Sequence, residues 1–557
     1  MPQQWEIPQG MTGDARLIRI GASLAGDEQY ACPARDAVKA RPGVRPLHWP
    51  AGGRERYEDF LLGPVMAALD RIEFNGALPE DVLRSPAREG KPLHEMQLAF
   101  VRHAVRAFHR RDRPAQAPPV GPVRLPWVVQ REQHGTTWEH WAWGRRYENP
   151  EQGVREFVFL RYGRAGQRER EDAQIAIAAF AAAFGSPARI PVPRWKPYRL
   201  GPAPAPVRWV RVAEVGLRDG SYKLLWQGTP QAAQQHYAEH GRAEAARLAR
   251  GTEAVPGSAC ADCKRLSACQ TVPRIPGVLG LGGFREPPPL REVSVSTLRY
   301  HRECPARAFA SACKLPRAED EYDERNRLGK AVHRVLELAH SGRQGTPPGG
   351  PAGDACGRDG VPQPDQPWGE EPNRVTGEAA RIGAAMLRHH LDVCPFHSRE
   401  VTQVRAERQF AVHDTAANVI VIATPDLLYL DAGSWVWREI KTTQRRMPRK
   451  EDPVLAYPQI ALATVLLAEG ALGGDRDGSR VELETLHPDY GDVEIIEPAH
   501  EPERVATARR VLREWAGPWR ADELFPARPA PETCRSCPVS QWCPASMRTA
   551  PADGGAA

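Results

Sequence analysis

The residues of this 557-residue chain best suited to chemistry lie close together: Pro425-Asp426 and, thirteen residues after the aspartate, Glu439-Ile440-Lys441. Asn418 to Leu430 contains the apolar, β-branched run Val419-Ile420-Val421-Ile422 and reads as a strand leading into Pro425-Asp426. Trp435 to Thr443 reads as the next strand, and Asp431-Ala432-Gly433 supplies a tight hairpin turn between them. Asp426 and Glu439 then lie on neighbouring strands. Glu439 and Lys441, two positions apart, share one face. Two carboxylates on such a face can hold Mg2+ or Mn2+, with the Ile440 carbonyl completing the shell. A metal there polarises a scissile phosphate and acidifies a bound water, and Lys441 can position that water or stabilise the developing charge. The plain alternative is a surface hairpin with an ion pair, because E-x-K is common on strands. The Pro-Asp pair upstream separates the two readings.

A helix is expected from about Asn326 to His340, with Leu328, Val332, Val335, Leu336 and Ala339 on its apolar side and Gly342 as its stop. It carries His333 in Gly329-x3-His333, a residue that packs more often than it ligates but here could give a nitrogen to the same metal. Glu337 lies one turn later on that face. Glu407 opens a further strand.

Eleven cysteines without a secretion signal point to metal rather than disulfides. Cys534, Cys537 and Cys543 form C-x2-C-x5-C, and Cys260, Cys263 and Cys269 repeat it. A lone Cys-Pro-Ala-Arg stands far upstream of each, at Cys304 and at Cys32. The separations Cys304 to Cys534 and Cys32 to Cys260 are 230 and 228 positions. Four thiolates bind zinc or an iron–sulfur cluster, and spacing alone does not separate these. Cys313, Cys356 and Cys394 lack counterparts and read as ordinary thiols.

The cysteines therefore write the chain as two copies of one domain of roughly 240 residues. Arg211-Val212-Ala213-Glu214-Val215 resembles Val481-Glu482-Leu483-Glu484-Thr485, and Ala173 to Ala178 resembles Pro458 to Ala463. The expected layout is a first copy over 1–270, a Pro/Gly-rich linker over 271–292 and a second copy over 293–557 with a flexible insertion at 341–373. The composition, 41% hydrophobic and 26% charged, fits a folded α/β protein. The net charge of +6 is a weak sign of a nucleic-acid partner, since arginine-rich, lysine-poor usage also follows from a GC-rich genome. No apolar run is long enough to span a bilayer, so no membrane partner is expected, and the absence of a signal peptide points to the cytoplasm.

G-x3-H, P-D, E-x-K and a later helix bearing Gln459, bracketed by C…C-x2-C-x5-C, resemble the RecB-like branch of the PD-(D/E)XK nucleases over Val293 to Pro544. Within it they resemble the iron–sulfur members, the AddB-type nuclease domain and the CRISPR-adaptation exonucleases. The resemblance implies tandem restriction-endonuclease-like domains, each a central mixed sheet flanked by helices and closed by four cysteines. It implies a 4Fe–4S cluster on Cys304, Cys534, Cys537 and Cys543 and, by the repeat, a second on Cys32, Cys260, Cys263 and Cys269. It implies metal ligands at His333, Asp426 and Glu439, with Lys441 catalytic. The family's Q-x3-Y is incomplete, because Ala463 follows Gln459; Tyr457 is the substitute candidate for contacting DNA. No G-x4-G-K-S/T is present, so a motor would be a separate helicase subunit.

The first copy cannot build this site. From Arg113 to Glu171 there is neither Asp nor Lys, and the helix expected near Tyr57 to Asp70 has no His. Trp127, Trp138, Trp141 and Trp143 with Arg145 and Arg146 could stack on single-stranded bases, although alternating tryptophans more simply pack a sheet. The expected activity is metal-dependent hydrolysis of DNA, as an exonuclease or end-processing nuclease in repair, recombination or defence. The alternative is a non-catalytic DNA-binding or scaffold subunit of a helicase–nuclease complex.

Overall fold

The computed structural model describes residues 5–26, 31–49, 52, 55–84, 91–114, 117–203, 205–318, 324–341, 356–357, 360–397, 401–445 and 452–547. The chain divides into two compact units, one of residues 1–271, 303–318 and 523–557 and the other of residues 272–302 and 319–522. Both are mixed α/β. No helix among the described residues is long and apolar enough to cross a membrane.

The second unit holds a five-stranded sheet in the order Val401–Ala406, Leu427–Asp431, Ser434–Thr442, Arg480–His487, Tyr490–Ile496. Neighbours are antiparallel except Ser434–Thr442 with Arg480–His487, which run parallel. A parallel pair needs a crossover, and the helix Pro458–Ala468 supplies it. That helix is apolar on all sides, and ten of its eleven residues are buried, as a helix sunk in the core requires. A separate three-stranded sheet joins Arg291–Ser294, Val419–Ala423 and Phe410–Asp414.

The single strand expected from Asn418 to Leu430 is thus two strands in two sheets. Pro425 offers no N–H to a ladder, and the chain leaves one sheet before it and enters the other after Asp426. The hairpin turn is tighter than expected: only Ala432 and Gly433 lie between the strands. Their φ values of 48° and 88° are the left-handed pair such a turn demands.

The helices Glu324–Ser341 and Gly377–Val393 pack on one another through Leu328, Val332, Leu336, Ala380, Met386 and Leu387, and on the sheet through Ile440 and Leu486. The Pro/Gly-rich segment read as a linker lies along the strand Phe410–Asp414. Asp414 accepts from the amides of Gly277 and Leu279, both at 2.9 Å. In the expected insertion, 342–355 and 358–359 lie outside the described residues. Further along it, Trp368 is buried against the helix pair and donates to Ala380 O at 3.1 Å.

The first unit repeats these pairings. Its five-stranded sheet runs Gly121–Pro122, Arg145–Asn149, Val154–Arg161, Trp209–Gly216, Tyr222–Gly228, with the parallel pair in the same place and the helix Asp172–Phe184 as crossover. A further sheet pairs Leu17–Gly21 parallel with Thr136–Trp141, which is antiparallel to Trp127–Gln133. The tryptophans pack: Trp127 is buried, and Trp138, Trp141 and Trp143 lie against core clusters. Arg145 is buried in ion pairs with Asp70 and Glu73, and Arg146 donates to Gly144 O and Arg124 O. Trp138, Trp141, Trp143 and Arg146 keep part of their surface exposed.

The second unit's sheet carries buried charge. The Arg438 guanidinium meets Glu482 at 2.5 Å and Glu484 at 2.9 Å, and also donates to Val393 O at 2.9 Å. Glu482 accepts from Tyr429 Oη and Arg480 as well. Burial opposes its charge, but Arg438 and Arg480 hold its carboxyl down at about 2. A depressed carboxyl contributes stability that is complete above its unfolded value and is lost as pH falls through its folded one. Chemical denaturation of the wild type should therefore show stability falling between about pH 4.5 and about pH 2, partly through Glu482. Glu482→Gln, which leaves both guanidinium groups short of a partner, should cost about 3–5 kcal/mol at pH 7 and flatten that slope.

Candidate active site and cysteine centres

Register brings the candidate residues together. Leu427 pairs with Arg438 across the hairpin, so Asp426 sits level with Glu439. The Ile440 amide donates to Asp426 Oδ2 at 2.6 Å, which ties the aspartate to the E-x-K strand. Lys441 Nζ lies 3.2 Å from Glu439 Oε2 and 3.9 Å from Asp426 Oδ2. His333 Nδ1, from the helix Glu324–Ser341, lies 3.2 Å from Asp426 Oδ1. Gly329 lies one turn earlier, where an added Cβ would come within 3.1 Å of Thr442 Oγ1; the G-x3-H spacing lets this helix approach the strand end closely.

Glu407 is a further member of the group, noted in the sequence only as a strand start. Its carboxylate lies 3.7 Å from His333 Nδ1. Its φ of 49° is left-handed, which costs a non-glycine residue roughly 1 kcal/mol, and its amide donates to Asp426 O at 3.3 Å. Glu407 does not open a strand, as its sequence suggested, but sits in the bend between Val401–Ala406 and Phe410–Asp414. Trp437, two residues before Glu439, donates from Nε1 to Glu439 Oε1 at 3.0 Å and fixes that carboxylate. The Tyr457 phenol lies close enough to bear on the charge of Lys441, while Gln459, on the first turn of Pro458–Ala468, is half-buried.

The electrostatics suit a cation. Burial and the neighbouring Asp426 push the Glu439 carboxyl up to about 7, against the pull of Lys441 and Trp437. Burial also raises Glu407, opposed by His333. Burial opposes charge on His333, yet Asp426 and Glu407 push its pKa up to about 10. Asp426 is held below the usual carboxylate range by His333, Lys441 and the Ile440 amide, despite burial. Three carboxylates and an imidazole converge here, with protons and Lys441 balancing the negative charge. His333, Glu407 and Asp426 offer ligand atoms within 4.8 Å of one another. This oxygen-rich set with one nitrogen fits a hard divalent ion.

In the first unit Gly144 immediately precedes the strand Arg145–Asn149, as Asp426 precedes Leu427–Asp431. A Cβ on Gly144 would meet Val158 O at 2.4 Å and the Phe157 ring at 2.7 Å, so no carboxylate fits there. Arg161 is bound to Glu214 at 2.7 Å.

Both sets of paired cysteines lie in the first unit. Cys32 and Cys304 each cap a short helix whose first residue is proline, Pro33–Lys39 and Pro305–Ala312. Cys304, Cys534, Cys537 and Cys543 line one small cavity. The Arg528 amide donates to Cys304 Sγ at 3.4 Å. In the other set, Val255 N donates to Cys32 Sγ and Gly257 N to Cys260 Sγ, both at 3.4 Å. Burial raises Cys260 to about 11 and Cys263 to about 12, with neighbouring thiols adding to the rise. The Cys304 set, ringed around a cavity and served by an amide donor, fits a thiolate-bound cluster. The second set does not close the second unit, as its spacing had suggested. Ala306, Ala310, Leu315, Val539 and Trp542 around it share a core with Phe100 and Phe108 of the first. Of the three cysteines read as ordinary thiols, Cys313 accepts from Gln97 Nε2 at 3.4 Å, but Cys356 and Cys394 converge with two histidines.

No curated protein matches the chain. Among solved structures, one described as "Crystal structure of SSO0001" is similar over 29% of this chain and 69% of its own, at 17% identity and a TM-score of 0.18. Residues 292–544, which contain every residue of the candidate active site, match the family model of the PD-(D/E)XK nuclease superfamily.

Proposed function

We propose that the second copy is a Mg2+- or Mn2+-dependent deoxyribonuclease, an exonuclease or end-processing enzyme of DNA repair, recombination or defence against mobile elements. The first copy is its catalytically silent duplicate. The observation that carries this reading is the convergence of His333, Glu407, Asp426, Glu439 and Lys441 at one end of the hairpin. The match of the surrounding residues to a nuclease superfamily supports it, and the shared strand order supports the duplication. Asp426, Glu439 and Glu407 hold the ion, with His333 as nitrogen ligand and the Ile440 peptide alongside. An ion held there would supply Lewis-acid polarisation of the phosphodiester and a water of lowered pKa. Trp437 and the Ile440 amide keep the two hairpin carboxylates in place. Lys441, charged and beside Glu439, faces the negative charge that grows on the phosphoryl oxygens.

Lys441→Ala should lower the cleavage rate on end-labelled single- and double-stranded DNA by about 100-fold or more, with an unchanged melting temperature. Cleavage at the wild-type rate by that variant removes Lys441 from the chemistry. A wild-type protein that binds DNA but cleaves neither substrate with Mg2+ or Mn2+ leaves only the scaffold reading.

Ion binding must displace protons, so affinity should rise with pH by about tenfold per unit for each proton released. Below about pH 7 the protons of Glu439 and His333 both leave. Above about pH 7 the Glu439 proton has already left while that of His333 still must. Calorimetric Mn2+ titration should therefore show affinity rising with pH, more steeply below about pH 7 than above it. A flat profile above pH 7 would exclude His333 as a ligand.

The cysteine sets are assigned as two 4Fe–4S clusters, each joining distant parts of the chain as a clasp. Anaerobically prepared protein should carry about eight iron atoms. Cys537→Ser should halve the iron and destabilise the first unit, by on the order of 5 kcal/mol if the loop-closure analogy with disulfides holds. Stoichiometric zinc in place of iron would make them zinc sites.

A further inference from the structure

We propose that His340, Cys356, His390 and Cys394 form a structural zinc site in the second unit, separate from the active site and from both paired cysteine sets. All four side chains are buried, and their ligand atoms lie within 4.8 Å of one another. Three of them come from the ends of the two packed helices: His340 from the last turn of Glu324–Ser341, His390 from the last turn of Gly377–Val393, and Cys394 from the residue that caps it. Cys356 comes from the Pro/Gly-rich insertion between these helices.

The separation of the two imidazole nitrogens fits a tetrahedral S2N2 centre. His340 Nε2 and His390 Nε2 are 3.3 Å apart. Two imidazole nitrogens at about 2.0–2.1 Å from a tetrahedral zinc are separated by about 3.3–3.4 Å. His390 Nδ1 is 2.6 Å from Glu484 Oε1, and Glu484 is itself held by Arg438 at 2.9 Å. A carboxylate on Nδ1 keeps the ring proton there and leaves the Nε2 lone pair facing His340, the usual support of a metal-bound histidine. The surroundings are apolar and closed: Phe396 stacks its edge on His340 with centroids 5.2 Å apart, and Val404, Tyr429 and Val436 share a core with the two cysteines. Four protein ligands in a dry shell make a structural centre rather than a catalytic one. Two thiolates and two imidazoles favour zinc over the hard ions suited to the carboxylate site.

The location gives the site a role. His340 is two helical turns from His333 on the same helix. Zinc there pins that helix to Gly377–Val393 and draws in the insertion through Cys356, so the active-site histidine is held from its far end.

Zinc-edge X-ray absorption on the full-length wild-type chain, grown with zinc and iron, should show a mixed shell of two sulfurs and two imidazole nitrogens. Absence of zinc, iron in its place, or a shell of sulfur alone would overturn the proposal. Metal analysis of Cys356→Ser and of His340→Gln should each show one zinc per chain fewer than wild type, with iron unchanged. A folded Cys356→Ser protein with undiminished zinc would also overturn it.

Discussion

The Arg438 guanidinium is the charge around which the second unit is organised. It is buried between two carboxylates of the neighbouring parallel strand and a backbone carbonyl at the end of a helix. A buried cation left without those partners would cost several kcal/mol. The strand Ser434–Thr442, the strand Arg480–His487 and the helix Gly377–Val393 must therefore keep one register. That register sets Glu439 level with Asp426, and Glu484, fixed by Arg438, aims His390. One buried ion network thus underlies both the candidate active site and the proposed zinc site.

The two units share one strand order in their five-stranded sheets, but only the second gathers acidic side chains around the hairpin. Both use a hairpin followed by a crossover helix and a parallel strand. In the second copy the hairpin's proline break releases Asp426 into a space shared with His333 and Glu407. In the first, Gly144 lies against Val158 O and the Phe157 ring with no room for a side chain. Arg145, next in line, is neutralised by Asp70 and Glu73 of the helix Leu62–Asn75. Polar groups remain, but they satisfy one another rather than a ligand.

Much of the candidate site was legible because its signals are local. P-D and E-x-K fall on two strands joined by a tight turn, and the alternation of side chains along a strand follows from spacing alone. The paired cysteine patterns were legible as repeats. Glu407 was less so, because its approach to His333 depends on a left-handed bend and on an amide reaching Asp426 across the sheet. Cys356 and Cys394 read as ordinary thiols because they belong to no short pattern: 38 positions separate them, and their histidine partners lie on two different helices.

The sequence by itself determined the elements and the local chemistry: the hairpin, the buried crossover helix, the histidine on its helix face, the cysteine spacings and the absence of Asp and Lys from 113 to 171. These rest on backbone preferences, side-chain periodicity and residue type, all of which act over a few positions. Tertiary structure alone decided which distant groups meet. It placed the Cys304 set in the first unit, because the apolar faces of Pro305–Ala312 and of the segment around Trp542 are buried in that unit's core. It also brought four unremarked side chains to one point. Such meetings depend on which apolar surfaces exclude water together, and spacing along the chain does not fix that.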